Sequence, residues 1–312
     1  MPETEVSEVH VPVMPDEILG VIAPLDGSLV VDATLGLGGH SERILSSSNA
    51  RIIGIDQDEE ALTLAGKKLE RFGERFTSIH ANFSEIIEVV KEPPDRIIAD
   101  LGVSSLQLDS ESRGFSFRFD APLDMRMDAS SGGPTAADLL ATLEQDEIAN
   151  LIYRYGEERH SRRIAKWIVE RRDAGTPIRT TSELAELVSR AVPRSKEKIH
   201  PATRTFQALR IAVNGELDIL KGFIADAIDT LKTDGVLAII TFHSLEDRIV
   251  KHAFRRLAGQ CVCPPRIPVC ACGAAKKVEI ITRRPIVPSE LEQTENPRSR
   301  SAKLRACRKL KQ

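Results

Sequence analysis

Short apolar runs that end in an acid or a glycine recur along the first third of the chain and again late in it. These runs are "SLVVDA", "RIIGID", "FTSIHA", "DRIIAD" and "GVLAIITF". Stretches with helical spacing, such as "DEEALTLAGKKLERF", lie between the first four. β-Branched runs that alternate with helices of this length are typical of βαβ units, so the pattern predicts a parallel sheet covered by helices.

The alternation breaks after Asp100, where a stretch without clear periodicity begins. Helical patterns then run from about Thr135 to Leu231, and from Phe206 onward the apolar residues keep one helix-like period. Strand-like runs return as "VLAIITF", "KKVEIITRR" and "SAKLRACRKL". The chain therefore reads as one sheet domain that is interrupted by a mostly helical insertion.

The last of these runs alternates small or apolar residues with Lys303 and Arg305, which predicts a half-buried antiparallel strand. We predict an α/β fold with a Rossmann-like sheet and an inserted helical domain. The predicted parts are residues 1–107 for the first half of the sheet domain, 108–214 for the substrate-recognising insertion and 215–312 for the second half.

Length and charge narrow the class of protein. A chain of 312 residues has room for about two domains and a sizeable core. Its net charge of −3 provides no global basic field, so contacts with nucleic acid must come from local patches. The acidic start "MPETEVSEVH" lacks an apolar signal core, and no apolar run is long enough to span a bilayer. We expect a cytoplasmic protein without a membrane partner; whether it is a homodimer stays open.

A glycine-rich loop, "LVVDATLGLGGHS", follows the first predicted strand. Glycines at a strand-to-helix junction let backbone N–H groups approach a ligand closely. Asp56 ends the next strand, where its carboxylate can accept both hydroxyl groups of a ribose. A nucleotide-like ligand is therefore expected at this edge of the sheet.

Two alternatives remain open at the loop. Gly36, Gly38 and Gly39 form G-x-G-G rather than the G-x-G-x-x-G of nicotinamide-cofactor enzymes, and Asp32 would repel a pyrophosphate. An acid at that position suits the ammonium and sulfonium groups of S-adenosylmethionine. The competing interpretations are a nicotinamide oxidoreductase, and a tight turn without a ligand in which Asp56 caps the following helix.

Longer motifs make the assignment specific. They are "DLGVSSLQLD", "RGFSF", "APLDMRMD", "HPATRTFQALRIAVN", "FHSLEDRIVK" and "ENPRSRSAKLR". In this order they resemble the bacterial 16S ribosomal RNA cytosine-N4 methyltransferases over nearly the whole chain. The resemblance implies a class I S-adenosylmethionine-dependent methyltransferase fold. It also implies 16S ribosomal RNA within the small subunit as partner, with the N4 amine of a decoding-centre cytidine as acceptor. A ribosome-assembly factor without turnover is the rival from another class.

The matching motifs imply a donor site that contains Gly38, Gly39, His40, Asp56, Phe83, Asp100 and Gln107. Phe83 would lie against the adenine, although it could equally be a core residue. For the acceptor amine, the candidates are the Asp100 carboxylate, the Ser104 hydroxyl and backbone carbonyls of the same turn. Positioning alone supplies much of the rate of such a transfer, so a strong general base is not required.

Substrate contacts are expected in two further segments. In "TFHSLEDR", His243, Ser244 and Arg248 follow the fifth strand and are candidates for positioning the cytidine or its phosphate; the alternative is a helix that Ser244 caps.

In the irregular segment, phenylalanines alternate with arginines, which suits a splayed base and its phosphates but also describes a buried strand. The candidates there are Arg113, Phe115, Phe117, Arg118 and Phe119. Basic runs in the insertion, including Arg162, Arg163 and Arg204, are candidates for a surface that contacts RNA.

Four of the five cysteines crowd into "CVCPPRIPVCAC". Cys261, Cys263, Cys270 and Cys272 form two C-x-C pairs, and four thiolates could bind a structural zinc ion. The spacing departs from the usual C-x2–4-C, so four reduced cysteines in a loop are the alternative.

Overall fold

The computed structural model describes residues 11–130, 132–193, 199–261, 263, 267 and 276–311. The chain divides into two compact units, residues 1–102 with 219–312, and residues 103–218.

One sheet organises the first unit. Its strands are β1 (Leu29–Asp32), β2 (Arg51–Asp56), β3 (Phe76–His80), β4 (Arg96–Asp100), β5 (Val236–Thr241), β6 (Val278–Ile280) and β7 (Lys303–Lys309). They lie in the order β3-β2-β1-β4-β5-β7-β6. The first five pair in parallel, whereas β7 is antiparallel to both β5 and β6. The predicted parallel sheet with a final antiparallel strand is confirmed.

The helices of the described residues follow in chain order. They are α1 (Pro15–Ile22), α2 (Gly39–Ser47), α3 (Glu59–Leu69), α4 (Ile86–Val89), α5 (Ser105–Asp109), α6 (Ala136–Thr142), α7 (Gln145–Gly156), α8 (Ser161–Asp173), α9 (Thr181–Ala191), α10 (Thr203–Asn214), α11 (Glu216–Thr230), α12 (Ser244–Leu257) and α13 (Glu290–Glu295). Short 3-10 turns occupy Glu70–Arg75, Phe83–Glu85 and Pro297–Ser301. None of these helices is both long and apolar enough to cross a membrane.

Alternation along the strands produces two cores, one on each face of the sheet. Val30 and Ile98 pack with α1, α2 and α3 on one face, whereas Val31 and Ile97 pack with α4, α11 and α12 on the other. A parallel sheet buried on both faces explains why its strands are near-continuous apolar runs.

The second unit has its own core. Apolar residues of α6 to α10 pack together with Phe115 and Met125 from the irregular segment. Thr180 and Glu183 form a capping box at the start of α9, as their spacing indicates.

Strand β7 is not half-buried, which corrects the sequence-based expectation. Arg305 is only 7% exposed, and its guanidinium donates to the Asp247 carboxylate at 2.6 Å between Nε and Oδ1. Asp247 lies in the first turn of α12. Of the two charged residues in the alternation, Arg305 is buried in this ion pair, whereas Lys303 stays partly exposed.

The helix-like apolar period from Phe206 to Leu231 spans two helices. Gly215 adopts φ +62° and ends α10, and α11 starts at the next residue. A left-handed glycine is a common helix terminator. The apolar period continues across it because both helices bury their apolar sides, so periodicity alone did not reveal the break.

Candidate active site

Acidic side chains end three neighbouring strands at one edge of the sheet. Asp32, Asp56 and Asp100 are the last residues of β1, β2 and β4. The strand order reverses between β1 and β4, because β2 and β3 continue on one side and β5 on the other. Ligands of open α/β sheets bind in the crevice at such a switch point.

The glycine loop lies directly above this edge. Gly36 and Gly38 have φ of +50° and +72°, a region that other residues rarely adopt. A Cβ atom on Gly38 would lie 2.9 Å from Cδ1 of Leu69. Gly39 begins α2, and a Cβ there would lie 3.1 Å from Pro12. The loop therefore requires glycine for its conformation and for its close packing.

Asp56 is tied to this loop by its carboxylate. It accepts the Gly36 N–H at 2.7 Å and the Asp58 N–H at 2.9 Å. Burial raises the pKa of Asp56 to about 6, and the two backbone N–H groups offset this only in part. Asp58, not Asp56, caps α3, so the alternative in which Asp56 is a helix cap is wrong.

Asp32 lies beneath the loop and is 1% exposed. Its carboxylate accepts the Ser41 hydroxyl at 2.7 Å and the Thr34 N–H at 3.4 Å. Burial raises its pKa, and the nearby His40 and Ser41 lower it by less. Asp32 is thus a buried acid that anchors both ends of the glycine loop.

His40 and Asp100 face each other at the switch point. His40 Nε2 lies 3.5 Å from Asp100 Oδ2, and His40 is 7% exposed. Within the described residues, His40 Nε2 and Asp100 Oδ1 are buried and have no hydrogen-bond partner. The Asp100 N–H donates to Thr34 Oγ1 at 2.6 Å, which holds the end of β4 against the loop. Buried polar atoms without a partner are costly, so they indicate where a ligand binds.

Phe83 begins the 3-10 turn after β3 and is half-buried. Its ring meets Phe223 edge to face, with centroids 4.9 Å apart. The side chain is therefore held by the core while part of its surface stays accessible; its predicted contact with the adenine stays a prediction.

Ser104 and Gln107 belong to the second unit, where they cap α5. The Ser104 hydroxyl accepts the Gln107 N–H at 3.2 Å, and the Gln107 side chain accepts the Ser104 N–H at 3.1 Å. This reciprocal capping box occupies an acceptor site of the Ser104 hydroxyl. Their predicted catalytic and donor-binding roles stay predictions.

His243 is the N-cap of α12, a position that the sequence alternative assigned to Ser244. Its Nδ1 accepts the Glu246 N–H at 3.4 Å, and its Nε2 lies 3.1 Å from the Glu246 carboxylate without a hydrogen-bond partner among the described residues. Ser244 and Arg248 are exposed on the same helix. Their predicted contacts with the cytidine stay predictions.

The predicted substrate residues of the irregular segment lie in different environments. Phe115 is 8% exposed in the core of the second unit, which corrects its proposed role as a base-stacking residue. Arg113 donates to the backbone carbonyls of Arg126 and Met127 and so braces the segment. Arg118 is exposed, and Phe117 stacks on His200 with centroids 4.5 Å apart.

Arg204 is less available for RNA than the sequence indicated. Its guanidinium lies 3.8 Å from the carboxylate of Glu158, whose side chain is only 4% exposed. The other cations of the insertion are more accessible. An exposed basic surface surrounds the α7–α8 connection and comprises Arg154, Arg159, Arg162, Arg163 and Lys166, with Tyr153 61% exposed beside them.

The MraW methylase family matches residues 7–310, nearly the full length of the chain. The chain belongs to this family. Among its relatives are proteins named "Ribosomal RNA small subunit methyltransferase H". The chain is 50% identical over 309 residues to the one from Geobacter sp. (strain M21), with 96% of this chain and 98% of that protein covered. It is also 50% identical to the one from Geobacter sulfurreducens (96% and 99% covered) and 48% identical to the one from Carboxydothermus hydrogenoformans (96% and 98% covered).

Membership in the MraW methylase family confirms the resemblance found in the sequence. Together with the seven-stranded sheet, it confirms the predicted class I methyltransferase fold. It also decides against a nicotinamide oxidoreductase.

Three residues of this candidate site were not predicted from the sequence. Thr34 and Ser41 lie within or beside the glycine loop. The Asp-x-Thr sequence at the end of β1 is a signal that could have found Thr34. Glu292 acts on His40 through its charge and accepts the Met14 N–H at 2.7 Å. It comes from α13, far along the chain, and no local signal marks it.

The predicted zinc site lies only partly within the described residues. Cys261 is exposed and Cys263 is half-buried, whereas Cys270 and Cys272 lie outside the described residues. Zinc binding stays a prediction. The fifth cysteine, Cys307, is buried in β7.

Proposed function

We propose that this protein transfers a methyl group from S-adenosylmethionine to the N4 amine of a decoding-centre cytidine in 16S ribosomal RNA. Two observations support a methyltransferase that uses S-adenosylmethionine and modifies small-subunit ribosomal RNA. The chain belongs to the MraW methylase family, and its relatives are about half identical to it over nearly their whole length. The N4 atom and the decoding-centre cytidine rest on the motif resemblance and on the acceptor geometry.

The glycine loop and the acids around it fit S-adenosylmethionine. Asp56 is half-buried, bound to the loop through Gly36, and keeps lone pairs for the two ribose hydroxyls. Asp32 and Asp100 make the crevice acidic, which suits the ammonium and sulfonium charges of this donor. Phe83 presents the apolar wall that an adenine requires. The bound donor supplies an electrophilic methyl group; every other requirement is positional.

The assignment of the acceptor for the amine proton depends on the Oδ1 atom of Asp100. It is a buried carboxylate oxygen at the switch point and has no partner within the described residues. Among the candidates from the sequence, Ser104 already accepts a hydrogen bond in its helix cap, whereas Oδ1 accepts none from the described residues. The cytosine amine is a poor nucleophile because its lone pair is delocalised into the ring. An acceptor that orients the amine about 3–3.5 Å from the methyl carbon and then takes its proton meets this need.

Contact with the ribosomal RNA is assigned to the exposed basic surface around the α7–α8 connection, together with Arg118 and Phe119. Aromatic side chains beside exposed cations suit unstacked bases and their phosphates. Tyr153, which the sequence analysis overlooked, is 61% exposed next to these cations, and Phe119 is 38% exposed. The chain carries a net charge of −3, so this local surface rather than a general field must provide the affinity.

The decisive experiment is nucleoside mass spectrometry. Small subunits from cells that lack the enzyme are incubated with the protein and labelled S-adenosylmethionine, and their RNA is digested. We expect labelled N4-methylcytidine from one decoding-centre position. Label in 5-methylcytidine or in another nucleoside would refute the N4 assignment, and no label at all would favour the rival assembly factor.

The form of the substrate offers a second test. The target base must leave its stack, at a cost of about a few kcal/mol, and a short hairpin offers few contacts to offset that cost. We expect efficient methylation of assembled or nearly assembled subunits and poor methylation of the isolated hairpin. Equal rates on both would point to recognition of local sequence alone.

A further inference from the structure

A buried histidine at the switch point stands among three carboxylates. His40 faces Asp100 of β4 at 3.5 Å, and the charges of Asp32 of β1 and Glu292 of α13 also act on it. Two of these acids already have partners of their own, since Asp32 accepts the Ser41 hydroxyl and Glu292 accepts the Met14 N–H. The third acid is Asp100. Among the described residues, His40 is the only side chain that faces its carboxylate.

The charge state of His40 follows from these neighbours. Burial lowers the pKa of His40, but the facing carboxylate of Asp100, with the charges of Asp32 and Glu292, raises it by more. The net effect raises the pKa of His40 above its ordinary value, so the ring is an imidazolium over a wider range than a free histidine. An imidazolium has N–H donors on both nitrogens and none of the lone pairs that would compete for a ligand proton.

We propose, on the basis of the proposed function, that His40 is a positioning residue: its ring N–H holds Oδ2 of Asp100 and leaves Oδ1 as the acceptor for the substrate amine. This role differs from that of a donor ligand, which the motif resemblance implied for His40. This role accounts for both unpartnered atoms. His40 Nε2 faces Oδ2 of Asp100, and Oδ1 of Asp100 accepts the substrate amine.

The proton balance of the step is then complete. The amine nitrogen forms its bond to the methyl carbon as the carbon–sulfur bond breaks, and the electron pair of that bond stays on sulfur as a thioether. The positive charge moves to the nitrogen, which gives one proton to Oδ1 of Asp100. His40 keeps its own proton throughout, and Asp100 returns the transferred proton to water after the product leaves.

Substituting His40 tests this role, because a donor ligand and a positioning residue predict different results. For His40→Ala we expect the single-turnover rate at saturating donor to fall by about 10- to 100-fold, the loss typical of a misplaced acceptor, with donor affinity changed less than about threefold. His40→Gln restores an N–H donor without charge, so its rate should be intermediate. His252→Gln, an exposed histidine on α12, is the matched control and should match the wild type.

The pH dependence provides the readout that a merely structural role would not change. Wild-type activity should fall as pH rises through the raised pKa of His40, and this alkaline limb should be absent in His40→Gln. A large loss of donor affinity with an unchanged rate at saturation would overturn the proposal, and so would a normal rate and pH profile in His40→Ala.

A measurement without turnover keeps the test independent of the proposed function and of the folding of the variants. In the protein with ¹⁵N-labelled histidine, the His40 ring should remain protonated above pH 6.5, the ordinary histidine pKa, and Asp100→Asn should lower that titration. A neutral His40 ring at pH 6.5 in the wild type would refute the imidazolium. If that ring is charged but no N4-methylcytidine forms, the proposed function fails while the arrangement of the pair stands.

Discussion

The Asp56 carboxylate accepts the backbone N–H of Gly36 at 2.7 Å, so the acid at the end of β2 and the glycine loop after β1 form one unit. A ligand that binds the free lone pairs of Asp56 is thereby placed against the loop. The same contact gives the half-buried carboxylate a hydrogen-bond donor. Burial raises the pKa of Asp56 to about 6, because the N–H groups of Gly36 and Asp58 offset the effect of burial only in part.

Asp56→Ala should weaken the binding of S-adenosylmethionine by about 10- to 100-fold, because each hydrogen bond to a charged group contributes about 1.5–3 kcal/mol. Calorimetric titration measures the change. Asp26→Ala removes an exposed acid before β1 and is the matched control. Unchanged affinity in Asp56→Ala would remove this residue from the donor site.

Donor affinity should also depend on pH below neutrality. The pKa of Asp56 is raised from 3.8 to about 6, so protons compete with the ribose hydroxyls as pH falls from 7 to 5. The wild type should therefore lose affinity across this range, by up to about tenfold, as the fraction of ionised Asp56 falls. Asp56→Ala should show no such dependence, and a dependence of equal size in both proteins would assign the effect to another group.

Gly156→Ala should destabilise the second unit. A Cβ atom there would overlap the carbonyl oxygen of Arg204, where α7 packs closely against α10. Overpacking of this kind costs about 1–3 kcal/mol. Trp167 is the single tryptophan of the chain and lies in this unit, so its fluorescence during urea denaturation reports the loss. Gly66→Ala in α3, where a Cβ meets nothing within 4 Å, should leave this transition unchanged.

The double substitution Arg162→Ala/Arg163→Ala should weaken binding to small subunits while donor affinity stays the same. Each lost phosphate contact lowers the slope of log affinity against log salt by about 0.7–0.9. Arg43→Ala/Arg51→Ala removes two exposed arginines of the first unit and serves as control. Arg204 is left in place because its removal would strand the buried Glu158. An unchanged salt slope in the first pair would refute the RNA-binding surface.

Metal analysis tests the cysteine cluster. If the four cysteines bind zinc, protein purified without chelators should contain about one equivalent, and its removal should lower the melting temperature because metal binding adds to folding free energy. Cys261→Ser should abolish the bound metal. Finding no zinc would leave reduced cysteines in a loop.

The spacing of apolar, acidic and glycine residues along the chain predicted much of the fold. Apolar runs that end in acids predicted the strands correctly, since a sheet buried on both faces needs continuous apolar residues wherever the chain crosses it. The glycine loop and Asp56 could be placed together for a simple reason: parallel strands end at the same edge, so residues at strand ends in βαβ units become neighbours. Capping boxes such as that of Thr180 and Glu183 are equally local.

The tertiary structure alone decided which faces are covered and which distant groups meet. The charged Arg305 is buried because α12 brings Asp247 to it, and Phe115 is core because the helices of the second unit pack over it. The charge of Glu292 acts on His40 from a helix near the other end of the chain. Spacing along a chain determines local conformation and the side on which a residue lies. Burial, pKa and pairing depend on what packs against that side, which only long-range contacts specify.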